Sequence, residues 1–203
     1  MDIILSSISQ GLLWSVMAIG VYLTFRILDI ADMTAEGSYP LGAAVCATGI
    51  VNGLNPLLAT FLAMIAGMGA GLISGLLHTK LKIPALLTGI VTLTGLYSIN
   101  LKILGKANVA LLKQETLVTQ LQDFGLAKTN AVLVIGIIFV LAVVGVLTLL
   151  LNTQIGLAIR STGDNIPMSE ANGINVDRMK IYGYMISNGL IALCGALLTQ
   201  NNG

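Results

Sequence analysis

The stretch NAVLVIGIIFVLAVVGVLTLLL, residues 130–151, runs through 22 consecutive positions without a charged side chain. A bilayer core about 30 Å thick is crossed by roughly 20 helical residues, so this stretch is long enough to span it. The composition of the whole chain agrees, because 56% of its 203 residues are hydrophobic and only 9% are charged. The sequence therefore predicts an all-α integral membrane protein.

Five more uncharged stretches lie elsewhere in the chain, at residues 3–25, 39–54, 56–77, 83–101 and 181–199. All but one of them are of spanning length, so we expect about six transmembrane helices. The first has no positively charged residue before it, unlike a signal peptide. We therefore expect it to be retained as a helix.

The exception is the stretch 39–54, which is short and contains Pro40, Gly42, Gly49 and Gly53. This composition is typical of a broken or tilted half-helix near a transport pathway. A span that begins earlier, at about Thr34, explains the same residues equally well. The sequence leaves both interpretations open.

Small residues recur in the stretch AMIAGMGAGLISG, residues 63–75. Ala63, Gly67, Gly71 and Gly75 are four apart and therefore share one helical face. Without a bulky side chain, that face lets another helix approach closely. The spacing predicts helix packing in a bundle.

A further helix is predicted between the fourth and fifth long spans. Leu117, Leu121 and Phe124 follow a helical period, Glu115 lies near the start, and Gly125 is a candidate C-cap. The pattern indicates a short amphipathic helix on the outer face. It either seals the bundle or forms a docking surface for an external partner.

The distribution of basic residues favours one orientation in the membrane. With the N-terminus outside, the inner loops contain six of the ten Lys and Arg residues, namely Arg26, Lys80, Lys82, Arg160, Arg178 and Lys180. The outer segment 102–128 holds the other four. Because cytoplasmic loops carry the excess of Lys and Arg, we expect the polar segment 156–180 in the cytoplasm.

Several classes of function are disfavoured by what the sequence lacks. The net charge is +1, so no nucleic-acid-binding face is expected. Only one histidine is present, His78, and Cys46 and Cys194 form no CxxC motif, so we expect no catalytic residue, metal site or cofactor. The missing dyads disfavour an intramembrane enzyme. A GxxxxGK[ST] loop is also missing, so any ATP must be bound by another polypeptide.

Polar side chains within the predicted spans are hydroxyls and amides. Thr88, Thr92 and Gly95 share a face of the fourth span, and Asn188 lies in the last. Such groups either bond to a neighbouring helix or line a polar pathway, and these four residues are our pathway candidates. No charged residue falls in the middle of a predicted span, which disfavours ion-coupled transport.

The polar segment GLAIRSTGDNIPMSEANGINVDRMK, residues 156–180, lies between two long apolar runs. Asp164 is predicted to cap a short helix, 165–172, with Pro167 in its first turn. Gly173 is predicted to end this helix in the left-handed conformation, and Gly163 to provide a sharp turn before it. A structured linker between spans is the alternative interpretation.

The pattern GLAIRSTGDNIPMSEANGINVDRMKIYGYMISNGLIALCGALL, residues 156–198, resembles the cytoplasmic loop and following span of ABC importer permeases of the branched-chain amino acid and ribose type. In that family the short helix is the coupling helix, which sits in a cleft of the ATPase subunit. The matching positions include Gly156 and Gly195. The resemblance implies a set of ATPase-coupling residues, namely Arg160, Asp164, Pro167, Met168, Glu170, Ala171, Gly173 and Ile174.

A second stretch, ILDIADMTAEGSYPLGAAV at residues 27–45, is similar to the Asp-Leu-Ser-x-Gly-Ser segment of the same family. The matching residues are Asp32, Thr34, Gly37 and Ser38, with one extra residue, Ala35 or Glu36, inserted. The insertion leaves the roles of Asp29, Asp32 and Glu36 open. On chemistry alone, carboxylates near the end of a span are expected to be solvated.

The resemblance implies a single transmembrane permease domain over residues 1–203, with a coupling loop at 153–180, in a bacterial plasma (inner) membrane. Because such permeases continue through further spans, we expect a truncated permease without its C-terminal spans. The implied partners are an ABC ATPase subunit, an extracytoplasmic solute-binding protein, a second copy in a homodimer, membrane lipid and a small polar solute.

An amino acid is the solute class that the resemblance favours, because the chain is most similar to uncharacterised permeases grouped with aromatic amino acid importers. The rival interpretation is a stand-alone channel or secondary transporter, in which the polar segment is only a linker.

Overall fold

The computed structural model describes residues 2–105, 111, 114–123 and 127–202, and within these residues all regular structure is helical. A π-helical segment, Leu23–Ile27, continues the first helix. The α-helices are α1 (Asp2–Tyr22), α2 (Ala35–Val51), α3 (Pro56–Lys80), α4 (Ala85–Leu104), α5 (Leu117–Asp123), α6 (Lys128–Leu151), α7 (Gln154–Asp164), α8 (Ile166–Ala171) and α9 (Val176–Asn202).

Five helical segments among the described residues are long and apolar enough to cross a membrane: Ile3–Ile27, α3, α4, α6 and α9. They correspond to five of the six predicted spans. The sixth, α2, is a helix of 17 residues and is slightly shorter than the others. The prediction of an all-α membrane protein is therefore confirmed.

Helix α2 decides between the two interpretations of the stretch 39–54. It begins at Ala35, directly after Thr34, and runs without a break to Val51. The earlier start is confirmed and the break is wrong, whereas the tilt stays a prediction. Pro40 lies in the second turn and is exposed, so it removes one backbone hydrogen bond at the start of the helix without ending it.

Helix α9 is the centre of the bundle. In an apolar stretch of 18 residues of α9, 83% of the residues are buried, against 22–39% in the corresponding stretches of the other four spans. It packs most extensively against α3, and then against α2 and α1. Because α9 is enclosed by the other helices, its small residues decide how closely they approach.

The row of small residues in α3 forms a helix-packing face, as predicted, and the structure shows that its partner is α9. Ala63 is fully buried. A Cβ added at Gly67 would meet Ala192 and Asn188, and one at Gly71 would meet the carbonyl oxygen of Tyr184. The two helices therefore touch backbone to backbone along this row.

One end of the bundle is closed by Gln200, near the end of α9. Its Nε2 donates to Thr60 Oγ1 in α3 at 2.7 Å, and its Oε1 accepts from the backbone N–H of Leu117 at 3.0 Å. Leu117 and Leu121 of α5 pack against the core, which agrees with the sealing role predicted for this helix. Phe124 and Gly125 lie outside the described residues, and the docking role stays a prediction.

Candidate functional site

The polar segment forms two helices, α7 and α8, at the opposite end of the bundle from Gln200. Thr153 caps α7, because its Oγ1 accepts from the backbone N–H of Gly156 at 3.3 Å. Ile159 and Thr162 are buried on the inner face of α7. Helix α7 was not predicted, and it holds α8 in place.

The N-cap of α8 lies one residue later than predicted. Helix α7 continues through Asp164, so the first residue with an extended backbone is Asn165, at φ −157°. Its Oδ1 accepts from the backbone N–H of Met168 at 3.0 Å, and the prediction that Asp164 is the cap is therefore wrong. Pro167 lies in the first turn, as predicted, where its missing N–H has no partner to lose.

The two glycines that flank the predicted helix have different roles. Gly173 has φ +77° and ends the α8 region in the left-handed conformation, as predicted. Gly163 provides no turn, because it lies inside α7. A Cβ at Gly163 would meet the carbonyl oxygen of Ile27, so glycine is needed there for the close contact of α7 with the end of the first span.

Most of α8 projects away from the bundle. Only Ser169 is buried, and its Oγ lies 2.6 Å from Ser161 Oγ in α7, which fastens the two helices together. The predicted coupling residues Arg160, Asp164, Pro167, Met168, Glu170, Ala171 and Gly173 are exposed, and Ile174 is half-buried. Helix α8 also exposes apolar side chains, because Met168 is 61% exposed and Ile166 is 40% exposed.

Basic residues collect at the same end of the bundle. Gly75 in α3 faces Ile181 in α9, so the Lys80 end of α3 lies beside the start of α9. Arg26 belongs to the π-helical segment that contacts α7. The six basic residues predicted for the inner loops therefore lie at one end, together with α7 and α8.

A second polar cluster lies inside the bundle and was missed by the sequence prediction. Asp32, in the connection between the first span and α2, is only 2% exposed. Its Oδ2 accepts from Asn188 Nδ2 of α9 at 2.7 Å, and its Oδ1 accepts from the backbone N–H of Thr34 at 2.8 Å. Burial raises the pKa of the Asp32 carboxyl, while these hydrogen bonds act in the opposite direction. The expectation of a solvated carboxylate is wrong for Asp32.

Asp29 and Glu36 differ from Asp32, because both are exposed. Asp29 also has a left-handed backbone, at φ +54°. Their exposure agrees with the expectation of solvated carboxylates.

Hydroxyl groups extend the cluster to three more helices. Ser38 Oγ in α2 donates to Asn188 Oδ1 at 2.6 Å. Thr34 Oγ1 lies 2.8 Å from Ser74 Oγ in α3, which in turn donates to Thr92 Oγ1 in α4 at 3.0 Å. Each of these side chains has a hydrogen-bond partner, so the polar groups of the cluster satisfy one another inside the bundle.

The structure brings two of the four pathway candidates into this network. Asn188 and Thr92 belong to it, and Thr88 contributes the carbonyl oxygen to which Thr92 Oγ1 donates at 2.9 Å. Gly95 is exposed, and a Cβ there would meet nothing within 4 Å. The predicted face of α4 is therefore buried at Thr88 and Thr92 but open at Gly95.

A large cleft lies away from both clusters. It has a volume of about 450 Å³ and lies between α3, α6 and α9, with Phe61, Met64, Phe139, Val143 and Leu190 in its walls. Its nearly apolar walls suit lipid or another helix better than a polar solute. In the described part of the chain, no group of three His, Cys, Asp or Glu side chains could hold a metal ion.

Comparison with known proteins gives a family match over nearly the whole chain. Residues 3–203 match the family described as branched-chain amino acid transport system / permease component. The chain is 44% identical, over 97% of its length, to the tyrosine transport system permease protein of Clostridioides difficile (strain R20291). It is 29% identical, over 98% of its length, to the autoinducer 2 import system permease protein LsrC of Yersinia enterocolitica.

These relatives are longer than this chain. The matched region covers 64% of the Clostridioides difficile protein and 53% of the Yersinia enterocolitica protein. An uncharacterized protein of Rickettsia prowazekii (strain Madrid E) is 34% identical over 100% of this chain and 70% of its own length. No solved structure matches the chain.

Proposed function

Because this chain belongs to the family of branched-chain amino acid transport system permease components, we propose that it acts as the membrane-spanning permease subunit of an ATP-driven ABC importer. The observation that carries the proposal is the exposed helix α8, which projects from one end of a bundle of membrane-crossing helices. A helix anchored by α7 and open on its other sides is suited to insertion into a cleft of a second protein.

In this proposal α8 is the coupling helix and its partner is an ABC ATPase subunit. The exposed side chains of Ile166 and Met168 supply apolar contact, and Glu170 supplies a charge. Aromatic residues, Met and Arg are favoured in the buried centres of interfaces, so Met168 fits the centre of this contact. Two permease copies work as a homodimer, and closure of the two ATPase subunits moves the two α8 helices together.

The solute that the proposal favours is an amino acid. The relative with 44% identity is named for tyrosine transport, whereas the autoinducer 2 permease is 29% identical. An extracytoplasmic solute-binding protein delivers the solute to the end of the bundle that contains α5. The exposed apolar side chains of α4 and α6, such as Leu141 at 66% exposure, are left for lipid or for the second copy.

The membrane topology is the first test of this proposal. We expect Met168→Cys to be protected from an impermeant thiol reagent in intact cells of a bacterial host, and Glu115→Cys to be labelled. Both positions are exposed, at opposite ends of the bundle, and the positive-inside rule places α8 in the cytoplasm. The native Cys46 and Cys194 are fully buried and can remain as unreactive internal controls. Labelling of Met168→Cys from outside would reverse the topology and contradict the proposal.

The contact with the ATPase is the second test. Glu170→Arg reverses an exposed charge on α8, so its effect on folding is expected to stay within about 0.5 kcal/mol. Truncating one charge of a buried interfacial pair typically costs about 2–5 kcal/mol, so we expect at least tenfold weaker binding of the ATPase. Co-purification with the co-expressed ATPase subunit and ATP hydrolysis by the complex would measure the loss.

Glu115→Arg is the matched control, because it makes the same charge change on an exposed residue at the other end of the bundle. It is expected to leave ATPase binding unchanged. A stand-alone channel or secondary transporter would show neither ATPase binding nor any difference between the two variants, and that result would refute the importer assignment.

A further inference from the structure

The connection between the first span and α2, residues 28–34, contacts four helices of the structure; we call it the connector. Its first half packs against α7 and α9. Leu28 and Ile30 form a buried cluster with Ile159 of α7 and Tyr184 of α9. A Cβ at Gly183 of α9 would meet the Leu28 side chain, so Leu28 lies flat against α9. Helix α7 therefore packs against the connector through Ile159.

The second half of the connector enters the bundle. Asp32 bonds to Asn188, which lies near the middle of α9. Thr34 Oγ1 lies within hydrogen-bond distance of Ser74 in α3. A Cβ at Gly89 of α4 would lie 2.7 Å from the backbone nitrogen of Met33, so α4 packs closely against the connector as well. The connector thus joins α7 to the central helix α9 and to α3 and α4.

The side-chain amide of Asn188 is fully engaged in hydrogen bonds, one of which goes to Asp32. Asn188 Nδ2 donates to both Asp32 Oδ2 and the carbonyl oxygen of Tyr184, and its Oδ1 accepts from Ser38. All three hydrogen bonds lie in the fully buried interior. A buried carboxylate that loses its partner is strongly disfavoured, because no water replaces the lost bond. The connector is therefore held at one fixed position on α9.

On the basis of the proposed importer function, we infer that Asp32 and Asn188 are positioning residues that lock the connector to α9. Through this lock a displacement of α7 and α8 is passed to α9 and, through Thr34, to α3 and α4. Without the lock α7 would keep its direct packing against α9, α6 and the π-helical segment, but the connector would no longer move together with α9. Coupling between distant parts of a protein can be carried by a contiguous set of packed side chains and hydrogen bonds, and the connector supplies one.

The experiment exchanges the two members of the pair. Asp32→Asn places two amide groups opposite each other, and Asn188→Asp places two carboxylates opposite each other. The double variant D32N/N188D restores a donor and an acceptor across the contact. Ser187→Ala is the matched control, because Ser187 directly precedes Asn188 in α9 and is equally buried. Its hydroxyl donates to the carbonyl oxygen of Gly20 in α1 rather than to the connector.

The first measurement is hydrogen exchange of the backbone amides of α7 and α8 with the chain in lipid nanodiscs. We expect at least tenfold faster exchange of these amides in both single variants, wild-type rates in Ser187→Ala, and slower exchange again in the double variant. The hydrogen bonds of Asp32 and Asn188 go to Thr34, Ser38, Tyr184 and each other rather than to α7, so this effect reports on transmission. Faster exchange confined to the connector and α9 would show a purely local structural role and overturn the inference.

The second measurement uses the complex with the ATPase subunit in proteoliposomes. The single variants are expected to bind the ATPase as the wild type does and to lose at least tenfold of ATP-driven solute uptake, with partial rescue in the double variant. Uptake at the wild-type level in both single variants would overturn the inference. If the wild-type chain binds no ATPase, the proposed function fails, whereas the exchange measurement still decides whether the lock positions α7.

Discussion

Gly71→Leu is expected to prevent the helices from forming a stable bundle. Any Cβ at this position would meet the carbonyl oxygen of Tyr184 and would lie 2.9 Å from the Cα of Met185, both in the backbone of the central helix α9. Backbone atoms of a packed helix cannot move aside as the end of a flexible side chain can. Overpacking costs about 1–3 kcal/mol in ordinary cores and more in rigid ones, so we expect the variant to exceed this range.

Gly69→Leu provides the control for this prediction. It adds the same side chain two residues away in the same helix, where a Cβ would meet nothing within 4 Å. We expect Gly69→Leu to be purified as a monodisperse protein with the unfolding temperature of the wild type. Gly71→Leu is expected to give little folded protein in the same detergent. Equal yield and equal unfolding temperature of the two variants would show that α3 does not pack on α9 through this face.

The packing face of α3 could be predicted from sequence because its signal is local. Four small residues at a spacing of four must lie on one face, and small residues at that spacing favour close helix contact in lipid. The identity of the partner helix could not be predicted in this way. Gly183, Gly189 and Gly195 of α9 meet Leu28, Met68 and Tyr39, which belong to three different parts of the chain. Only the tertiary structure shows that α9 is the shared centre.

Asp32 shows why part of the candidate site could not be predicted from the sequence. Its sequence position, after Arg26 and Asp29 at the end of a span, is typical of a solvated carboxylate. The connector instead folds back into the bundle, and the partner of Asp32 is 156 positions away in the sequence. No local pattern reports a contact of that separation. The resemblance to the family segment marked Asp32 as a matching residue, but it gave no partner and no burial.

The start of α8 was missed by one residue for a different reason. Asp164 and Asn165 are both good N-cap residues, so local propensity does not separate them. The choice follows from α7, which continues through Asp164 because Gly163 must remain helical to pack against Ile27. A signal for α7 was present in the sequence, since Thr153 is a suitable cap and Gly156, Ile159 and Thr162 share one face.

Gly163→Leu is expected to uncouple α8 from the bundle while leaving the membrane-crossing helices assembled. A Cβ at this position would meet the carbonyl oxygen of Ile27, so α7 must lift away from the end of the first span. Ile159 and Thr162, which are buried on the inner face of α7, would then become accessible. We expect at least tenfold faster hydrogen exchange in α7 and a loss of ATP-driven uptake of at least tenfold, with the unfolding temperature of the bundle lowered by only a few degrees.

Gly173→Leu is the comparison variant, because it changes the turn after α8 without changing the contact of α7 with the first span. A Cβ at Gly173 would meet nothing within 4 Å, but its φ of +77° is unfavourable for leucine. A left-handed backbone costs roughly 1–2 kcal/mol for a residue with a Cβ, which strains the turn without moving α7. We therefore expect Gly173→Leu to reduce uptake less than Gly163→Leu does and to leave exchange in α7 unchanged. If α7 and α8 were only a linker between spans, both variants would retain full uptake, because neither change touches a membrane-crossing helix except at the Ile27 carbonyl.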